Sequence, residues 1–367
     1  MSVTLKDVAR LAQTDITSVS VTLRNTPQAA GLKESTRNRI IEAARYLGYT
    51  RNAFAAAMRT GKNPTVGVIL NSKATGDNIF ENQALFGILH EAALLSYGIS
   101  VYTDEDIKGT IQSIIGHQIR NVVSISFSAP KREEAAGLCR QHGLNLVFVT
   151  ETSQGGFPAV DIDNFGGVYK AITSLIRFGH RRIAYLTSLF TMHFSRERFR
   201  GYKQALADAG IEFNPDWVVQ GEDLDRFLSG ILPLRGNRRP DAIFAMEDNL
   251  AVFTESLLLK AGLRVPEDIS VMGFGNYAGY NVVVPISTVT APFNELGKNA
   301  MRLLLGKRNT ALKKTAAGDY LLPMEVLHRS SVRIPEKIRA EMRSAGEKIC
   351  NIFQTWDELT HKNERKA

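Results

Sequence analysis

The sequence predicts an α/β protein in which a small helical domain precedes two consecutive α/β lobes. Residues 1–50 carry three short amphipathic helical patterns, whereas from residue 64 short apolar segments alternate with amphipathic helical ones. Such alternation is typical of parallel sheets covered by helices. The length of 367 residues and the 44% hydrophobic content allow a large core divided among several structural units.

The helical domain contains the pattern of a helix-turn-helix. Apolar residues recur at helical spacing over 5–12 and again over 16–23, so two short helices meet at a tight turn. A third helix is predicted over 34–47, closed by Gly48. In a helix-turn-helix the second helix enters the major groove of DNA. An ordinary three-helix bundle is the alternative.

Positive charge is concentrated in this domain. The chain has a net charge of +8, and residues 1–62 hold ten Lys or Arg against four Asp or Glu, a local charge of +6. Cations gain affinity for nucleic acid by displacing its counterions. The charge therefore favours DNA binding over the plain bundle.

The α/β region is predicted to form two series. The first runs from a strand at 65–70 to a strand at 144–149, and the second begins at Ala159. A helix over 295–305 and one strand around 321–327 complete the second series. Two tandem lobes of this kind enclose a ligand in the crevice at the carboxyl ends of their strands.

Several classes of function are disfavoured. Cys139 and Cys350 lie outside metal-ligand spacing, so we expect neither a metal nor a disulfide framework, and a reducing cytoplasm is the expected location. The N-terminus lacks the apolar region of a secretory signal. The segment after the first strand lacks the glycine spacing of a nucleotide-binding loop, and the adjacent Glu247 and Asp248 point in opposite directions. We therefore expect no enzyme and no cofactor.

The C-terminal segment, residues 336–367, has a heptad pattern over about three repeats. It predicts either a coiled coil that joins dimers into a tetramer or a helix packed on its own lobe. The seam is formed by Ile338, Met342, Ala345, Ile349, Ile352, Trp356 and Leu359.

Six segments, in order along the chain, resemble one known family. They are VTLKDVARLA with VSVTLRN, ESTRNRIIEAARYLGYTRNAFAAAMRTGK, VDIDNFGGVYKAITSLIRFGHRRIAYLT, RFRGYKQALADAGI, VPEDISVMGF and LHRSSV. With these the chain resembles the lactose-repressor/galactose-repressor (LacI) family over nearly its whole length. The resemblance implies a helix-turn-helix headpiece followed by two periplasmic-binding-protein-like lobes. It also implies a transcriptional regulator, most simply a repressor, whose operator affinity changes on binding a sugar or sugar derivative.

The resemblance further implies a domain layout and partners. Residues 1–50 form the headpiece, 51–63 a hinge helix, 64–335 the effector-binding and dimerisation domain, and 336–367 the C-terminal helix. A homodimer would place two headpieces on a pseudo-palindromic operator in duplex DNA. Met58 stands where the family wedges a leucine into the minor groove. A linker without DNA contact is the alternative, because an isolated short helix is marginal in water.

The resemblance places DNA contacts on the headpiece and hinge. Val21 replaces an arginine common in the family, Asp15 replaces a serine and Gln13 a turn glycine. These differences predict weaker base recognition, and a sugar-binding sensor whose headpiece no longer binds DNA specifically is the alternative function. The expected DNA contacts are Thr4, Leu5, Lys6, Asp15, Ile16, Thr17, Ser20, Val21, Arg24, Asn52, Ala55 and Met58.

Effector contacts are expected just after strands. Arg198 matches an arginine of the family whose guanidinium can bond two ligand oxygens, with an ion pair to Glu197 as the alternative. Phe80 would stack on a sugar face or belong to the core. Asp163 is expected to cap a helix. The expected effector contacts are Asn71, Phe80, Ser126, Arg198, Asp248 and Asn276.

Overall fold

In the computed structural model the chain divides into two units, Met1–Pro64 and Thr65–Ala367. The structure describes residues 3–24, 27–50, 63–73, 79–188, 192–234, 236–278, 282–307 and 310–346. The predicted hinge contacts Asn52, Ala55 and Met58 lie outside these residues, as does most of the C-terminal heptad pattern.

The first unit contains three α-helices, α1 (Leu5–Leu11), α2 (Ile16–Leu23) and α3 (Glu34–Tyr46), and a 3₁₀ turn at Pro27–Gly31. A capping box between Thr4 and Asp7 begins α1. Val8, Val19 and Ile40, one from each helix, are fully buried and form the centre of a small core. The three helices are therefore held together by one apolar seam.

The first lobe of the second unit is built on a seven-stranded sheet. Its strand order is β11-β12-β5-β4-β3-β1-β2, parallel except for β11. These strands are β1 (Thr65–Leu70), β2 (Gly98–Thr103), β3 (Asn121–Ile125), β4 (Asn145–Val149), β5 (Ala159–Ile162), β11 (Lys313–Lys314) and β12 (Tyr320–Leu322). Its helices are α4 (Ile79–Leu94), α5 (Ile107–Gly116), α6 (Ala129–Gln141) and α11 (Phe293–Leu304).

The second lobe is built on a six-stranded sheet of order β13-β10-β9-β8-β6-β7, in which only β13 is antiparallel to its neighbour. Its strands are β6 (Ile183–Thr187), β7 (Val218–Gln220), β8 (Ala242–Ala245), β9 (Ser270–Gly275), β10 (Ser287–Thr290) and β13 (Glu325–Leu327). The helices after β5, other than α11, are α7 (Asn164–Arg177), α8 (His193–Asp208), α9 (Leu224–Ile231), α10 (Asp248–Lys260) and α12 (Glu336–Ser344), with 3₁₀ turns at Pro215–Trp217, Gly221–Asp223 and Gly236–Arg238.

The strand assignments near the lobe boundary differ from prediction. The strand at Ala159, expected to open the second series, pairs with β4 and β12 in the first sheet. The single strand expected around 321–327 is two strands, β12 and β13, which belong to different sheets and flank Pro323. Proline has no N–H to continue a ladder, and here the chain crosses between lobes. The short β7, β10 and α9 were not predicted.

Close helix packing positions the lobe interface. A Cβ on Gly87 of α4 would lie 2.0 Å from the carbonyl oxygen of Asn294, and one on Gly297 of α11 would lie 1.9 Å from that of Ala84. Only glycine allows the two helices to approach so closely. Arg302 of α11 adds two 2.8 Å hydrogen bonds to Glu91 of α4. The start of each helix is thereby fixed where the lobes meet.

The described part of the C-terminal pattern packs inward. In α12, Met342 is fully buried and Ile338 packs against the core of the same unit. The helix ends at Ser344, and Gly346 follows with a φ of 70°. The first two seam positions therefore face their own unit, and the positions from Ile349 onward lie outside the described residues. No helix in the described part of the chain is long and apolar enough to cross a bilayer.

Candidate functional site

A cavity that opens to solvent lies between the two lobes of the second unit. It sits at the carboxyl ends of strands of both sheets, where parallel α/β proteins bind ligands. Half of its lining residues are aromatic. The lining is formed by Phe80, Phe127, Thr150, Asp161, Ile162, Asn164, Phe194, Arg198, Glu247, Phe274, Tyr277 and Phe293.

Arg198 on α8 is the buried cation of this cavity. Its Nε donates to Oδ1 of Asn164 at 2.9 Å, and its Nη1 donates to the carbonyl oxygen of Met246 at 2.6 Å. The guanidinium carbon lies 3.6 Å from the ring centroid of Phe274, a cation–π contact. Glu197, the alternative partner, instead accepts from Arg200 at 2.6 Å. The side chain is held rigidly, with Nη2 not used in these two bonds.

Two carboxyl groups line the cavity with Arg198. Burial raises the pKa of Asp161 to about 7, although the backbone N–H of Ile162 donates to it at 2.8 Å. Burial also raises the pKa of Glu247, against the attraction of Arg198. Carboxyl groups with raised pKa in a cleft are a common sign of a functional site. The cavity therefore combines one cation with two acids whose charge depends on what occupies it.

Thr150 contributes a strained backbone to the wall. Its φ of 70° lies in the left-handed region, which β-branched residues rarely adopt. Its N–H donates to the carbonyl oxygen of Val160 at 3.0 Å, and its Oγ1 donates to that of Val149 at 2.5 Å. The strain is thus held by hydrogen bonds to β4 and β5, as is frequent at binding sites.

Two of the six expected effector contacts, Phe80 and Arg198, line the cavity. Phe80 also packs against the main core. The ring therefore lies both in the core and at the wall of the cavity, the two positions considered for it from the sequence. The other four do not line it. Asn71 accepts from the backbone N–H of Lys73 at 3.1 Å, and Ser126 donates to the buried Asp104 at 2.5 Å. Their polar groups are used in holding the strand ends of the first lobe.

Asp248 and Asn276 stabilise the second lobe instead. Asp248 is fully buried and accepts from the backbone N–H of Tyr277 at 2.8 Å and from Oγ1 of Thr288 at 2.6 Å. Asn276 accepts from Nη2 of Arg329 at 2.6 Å. These bonds fix the turn that carries Tyr277 into the cavity. Asp163 caps α7 by accepting from the N–H of Gly166 at 2.8 Å, the structural role expected for it.

Three lining residues that the prediction missed are immediate neighbours of predicted ones. The lining residue Phe127 follows the predicted Ser126, and the lining residue Tyr277 follows the predicted Asn276. The lining residue Glu247 comes directly before the predicted Asp248. Alternation at a strand end is the signal that would have found them, because successive side chains point in opposite directions. The remaining missed residues are Thr150, Asp161, Ile162, Asn164, Phe194, Phe274 and Phe293.

In the first unit, most of the expected DNA contacts lie at helix starts, whereas Ser20, Val21 and Arg24 lie toward the end of α2. Asp15 is the N-cap of α2: its carboxylate accepts from the N–H of Ser18 at 2.8 Å and from its Oγ at 2.6 Å, and these bonds lower its pKa. Ile16 is 43% exposed although it is apolar. The helix itself contains no charged residue. Thr4, Lys6, Thr17 and Arg24 are exposed, whereas Leu5, Ser20 and Val21 are half-buried.

Gln13 forms the turn between α1 and α2 with a φ of 51°. This conformation costs a residue with a side chain roughly 1–2 kcal/mol. The N–H of Thr14 donates to the carbonyl oxygen of Ala9 at 3.1 Å and closes the turn. The helix-turn-helix geometry is therefore formed without the glycine common at this position.

Comparisons with known proteins agree with both units. A periplasmic binding protein-like domain matches residues 172–332. The chain is 29% identical over 339 residues to the HTH-type transcriptional repressor PurR of Aliivibrio fischeri, covering 90% of this chain and 98% of that protein. It is 28% identical to catabolite control protein A of Priestia megaterium, covering 91% and 100%.

The fold matches a solved regulator along nearly its full length. The structure of the Lac repressor dimer bound to operator and the anti-inducer ONPF superposes with a TM-score of 0.75 and 20% identity, covering 90% of this chain and 99% of that one. At this identity the match establishes the shared fold. Each of these matches covers 90% or more of this chain.

Proposed function

Since the chain belongs to the LacI family of transcriptional regulators, we propose that it is a repressor whose affinity for its operator changes when a small molecule binds between its lobes. The observation that carries this proposal is the interlobe cavity, which places a rigid buried Arg198 among aromatic rings and titratable acids.

The DNA-binding half of the proposal rests on the headpiece. A capped recognition helix with an exposed Ile16 at its start is flanked along the chain by cations, which include the exposed Lys6 and Arg24. Cations that contact phosphates supply affinity, and the groove-facing helix supplies base recognition. Ligand binding and operator binding are then coupled, and the coupling is reciprocal.

We further propose that the repressor is a homodimer that uses α4 and the edge strand β2. Phe86 on α4 is 65% exposed and Val101 on β2 is 51% exposed, with Leu89 also exposed one turn after Phe86. Ile99 packs against the core cluster that contains Ile88 of α4, so Val101, two residues on, faces the same side of the sheet. An exposed apolar face beside the edge strand of a sheet is typical of a protein interface. We propose that a second copy of the chain buries it, because an operator complex with two headpieces requires a dimer.

Phe86→Asp tests the homodimer. The charge should convert dimer to monomer in light scattering and lower operator affinity at least tenfold, because half of the DNA contacts are lost. A matched Phe253→Asp change, at a 53% exposed ring on α10, controls for added charge. A Phe86→Asp protein that stays dimeric contradicts the proposed face.

The function itself is tested by selecting a random duplex library on the full chain. Enrichment of one inverted repeat supports a sequence-specific regulator. Folded protein that enriches no sequence, both alone and in the presence of cell extract as a source of effector, refutes it. That outcome supports the alternative of a small-molecule sensor with a headpiece that has lost specific DNA binding, for which the uncharged recognition helix is the favouring observation.

A further inference from the structure

The walls of the cavity are aromatic on both lobes. Phe80 of α4 and Phe127 after β3 meet edge to face with ring centroids 5.2 Å apart, and Phe293 lies 5.7 Å from Phe80. Phe127 continues to Phe194 of α8, 6.4 Å away across the lobe boundary. These four rings are continuous, and Phe274 with Arg198 over it forms a further wall. Flat apolar surfaces of this kind bind the faces of flat rings.

The Asn164 amide and the Thr150 hydroxyl proton are already used in hydrogen bonds within the protein. Both functional ends of the Asn164 amide are used: Nδ2 donates to Asp161 and to the carbonyl oxygen of Ile162, and Oδ1 accepts from Arg198. The Thr150 hydroxyl donates its proton to a backbone carbonyl. A free sugar carries several hydroxyls, and each one buried without a partner costs affinity.

Few polar side-chain groups remain for a ligand. Asp161 already accepts from the N–H of Ile162 on one carboxyl oxygen and from Nδ2 of Asn164 on the other. Glu247 presents a carboxyl group to the cavity, Arg198 retains Nη2 beyond its two described bonds, and Tyr277 adds a hydroxyl. A ligand edge that donates an N–H group can bind Glu247, whereas an edge that only accepts cannot.

We propose that the effector is a flat aromatic or heteroaromatic ring compound that stacks on the phenylalanine walls and donates an N–H group from one edge to Glu247. This ligand class rests on the proposed function, in which the cavity is the effector site. It replaces the sugar expected from the family resemblance, because the Asn164 amide and the Thr150 hydroxyl proton are already used and the many hydroxyls of a polyol would find few partners.

The class is tested with a panel of probes on the full chain. Adenine, cytosine and benzamidine are flat rings with N–H donors on an edge, benzoate is a flat ring whose edge only accepts, and D-glucose is a polyol. Isothermal titration calorimetry should give at least one donor-edged ring a dissociation constant tenfold or more below those of benzoate and D-glucose. D-Glucose binding more tightly than every ring, or no donor-edged ring binding at millimolar concentration, overturns the proposal.

Variants locate the binding. Phe127→Leu and Glu247→Gln should each weaken the bound ring about tenfold or more, through lost stacking and a lost charge-assisted hydrogen bond. Phe253→Leu removes an exposed ring that does not line the cavity and should leave affinity unchanged. The melting temperature without ligand separates lost binding from lost folding. If Phe127→Leu folds and binds as the parent does, the stacking wall is not the site.

The panel of probes tests the ligand class and the operator selection tests the regulator, so the failure of one proposal can be told from the failure of the other. Enrichment of an operator with no ring bound overturns the ligand class and leaves the regulator in place. A ring bound in the cavity without any selected operator overturns the regulator and keeps the ligand class. Addition of the bound ring to the operator complex then measures whether it tightens or releases DNA.

Discussion

Replacing Asp161 with Asn tests whether the cavity wall contains a carboxyl group that folding keeps protonated. Asp161 is 4% exposed, and burial raises its pKa from 3.8 to about 7. The folded state thus holds the proton more tightly than the unfolded chain. The stability contributed by this group is complete below about pH 4 and is lost as pH rises through about 7. The difference between the pKa values of the unfolded and folded states corresponds to a change of about 4 kcal/mol in the free energy of unfolding over this pH range.

Urea unfolding of the second unit, parent against Asp161→Asn, isolates this group. Glu151 and Asp319 raise its pKa and Arg198 lowers it, and all three are unchanged in the variant. From about pH 5 to 8 the difference in unfolding free energy should move by about 3 kcal/mol in favour of the variant. Asp216→Asn, at an exposed position, is the matched control for a lost carboxylate. A difference that stays constant with pH refutes the assigned protonation.

Three further predictions concern the headpiece and the cavity between the lobes. Gln13→Gly relieves the left-handed backbone, partly offset by glycine's entropy, so core amides of the headpiece should exchange roughly twofold more slowly; unchanged exchange means the turn is unstrained. Arg198→Met leaves Asn164 without its donor, so unfolding free energy should fall by about 2 kcal/mol and DNA binding, followed by fluorescence anisotropy, should lose its response to ligand; a retained response removes Arg198 from the coupling. Asp15→Ser keeps the cap and removes a charge near phosphates, so DNA affinity should rise most at low salt; equal affinity places that carboxylate away from the backbone.

The regular parts of the fold were accessible from sequence because each depends on local periodicity. The apolar segment at 65–70 coincides with β1, and the amphipathic patterns locate α4 and α8 within a few residues. The lobe boundary was not accessible in this way. Pro323 stops one ladder without indicating that the chain then enters another sheet, because that choice depends on pairing with distant β5 and β10.

The site prediction identified strand ends that border the cavity, but at three of them the neighbouring residue lines it. Ser126, Asp248 and Asn276 were favoured because polar residues resemble ligand contacts. The structure uses their polarity to fix strand ends and turns it inward, while the adjacent side chains face the cavity. Buried polar groups must be satisfied, so a polar residue at a strand end is as suited to holding the scaffold as to holding a ligand.

We expect base recognition and phosphate binding to come from different residues of the headpiece, uncharged ones for the bases and cations for the phosphates. Since α2 contains no ionisable residue, we expect base recognition there to depend on hydroxyls and on apolar contact of Ile16 with thymine methyl groups. The cations of residues 1–62 lie outside that helix, and we expect them to contact phosphates whatever the base sequence. Rising salt should therefore lower affinity for operator and for random duplex by nearly the same factor, leaving their ratio constant. A ratio that collapses with salt would mean that a charged side chain reads the bases.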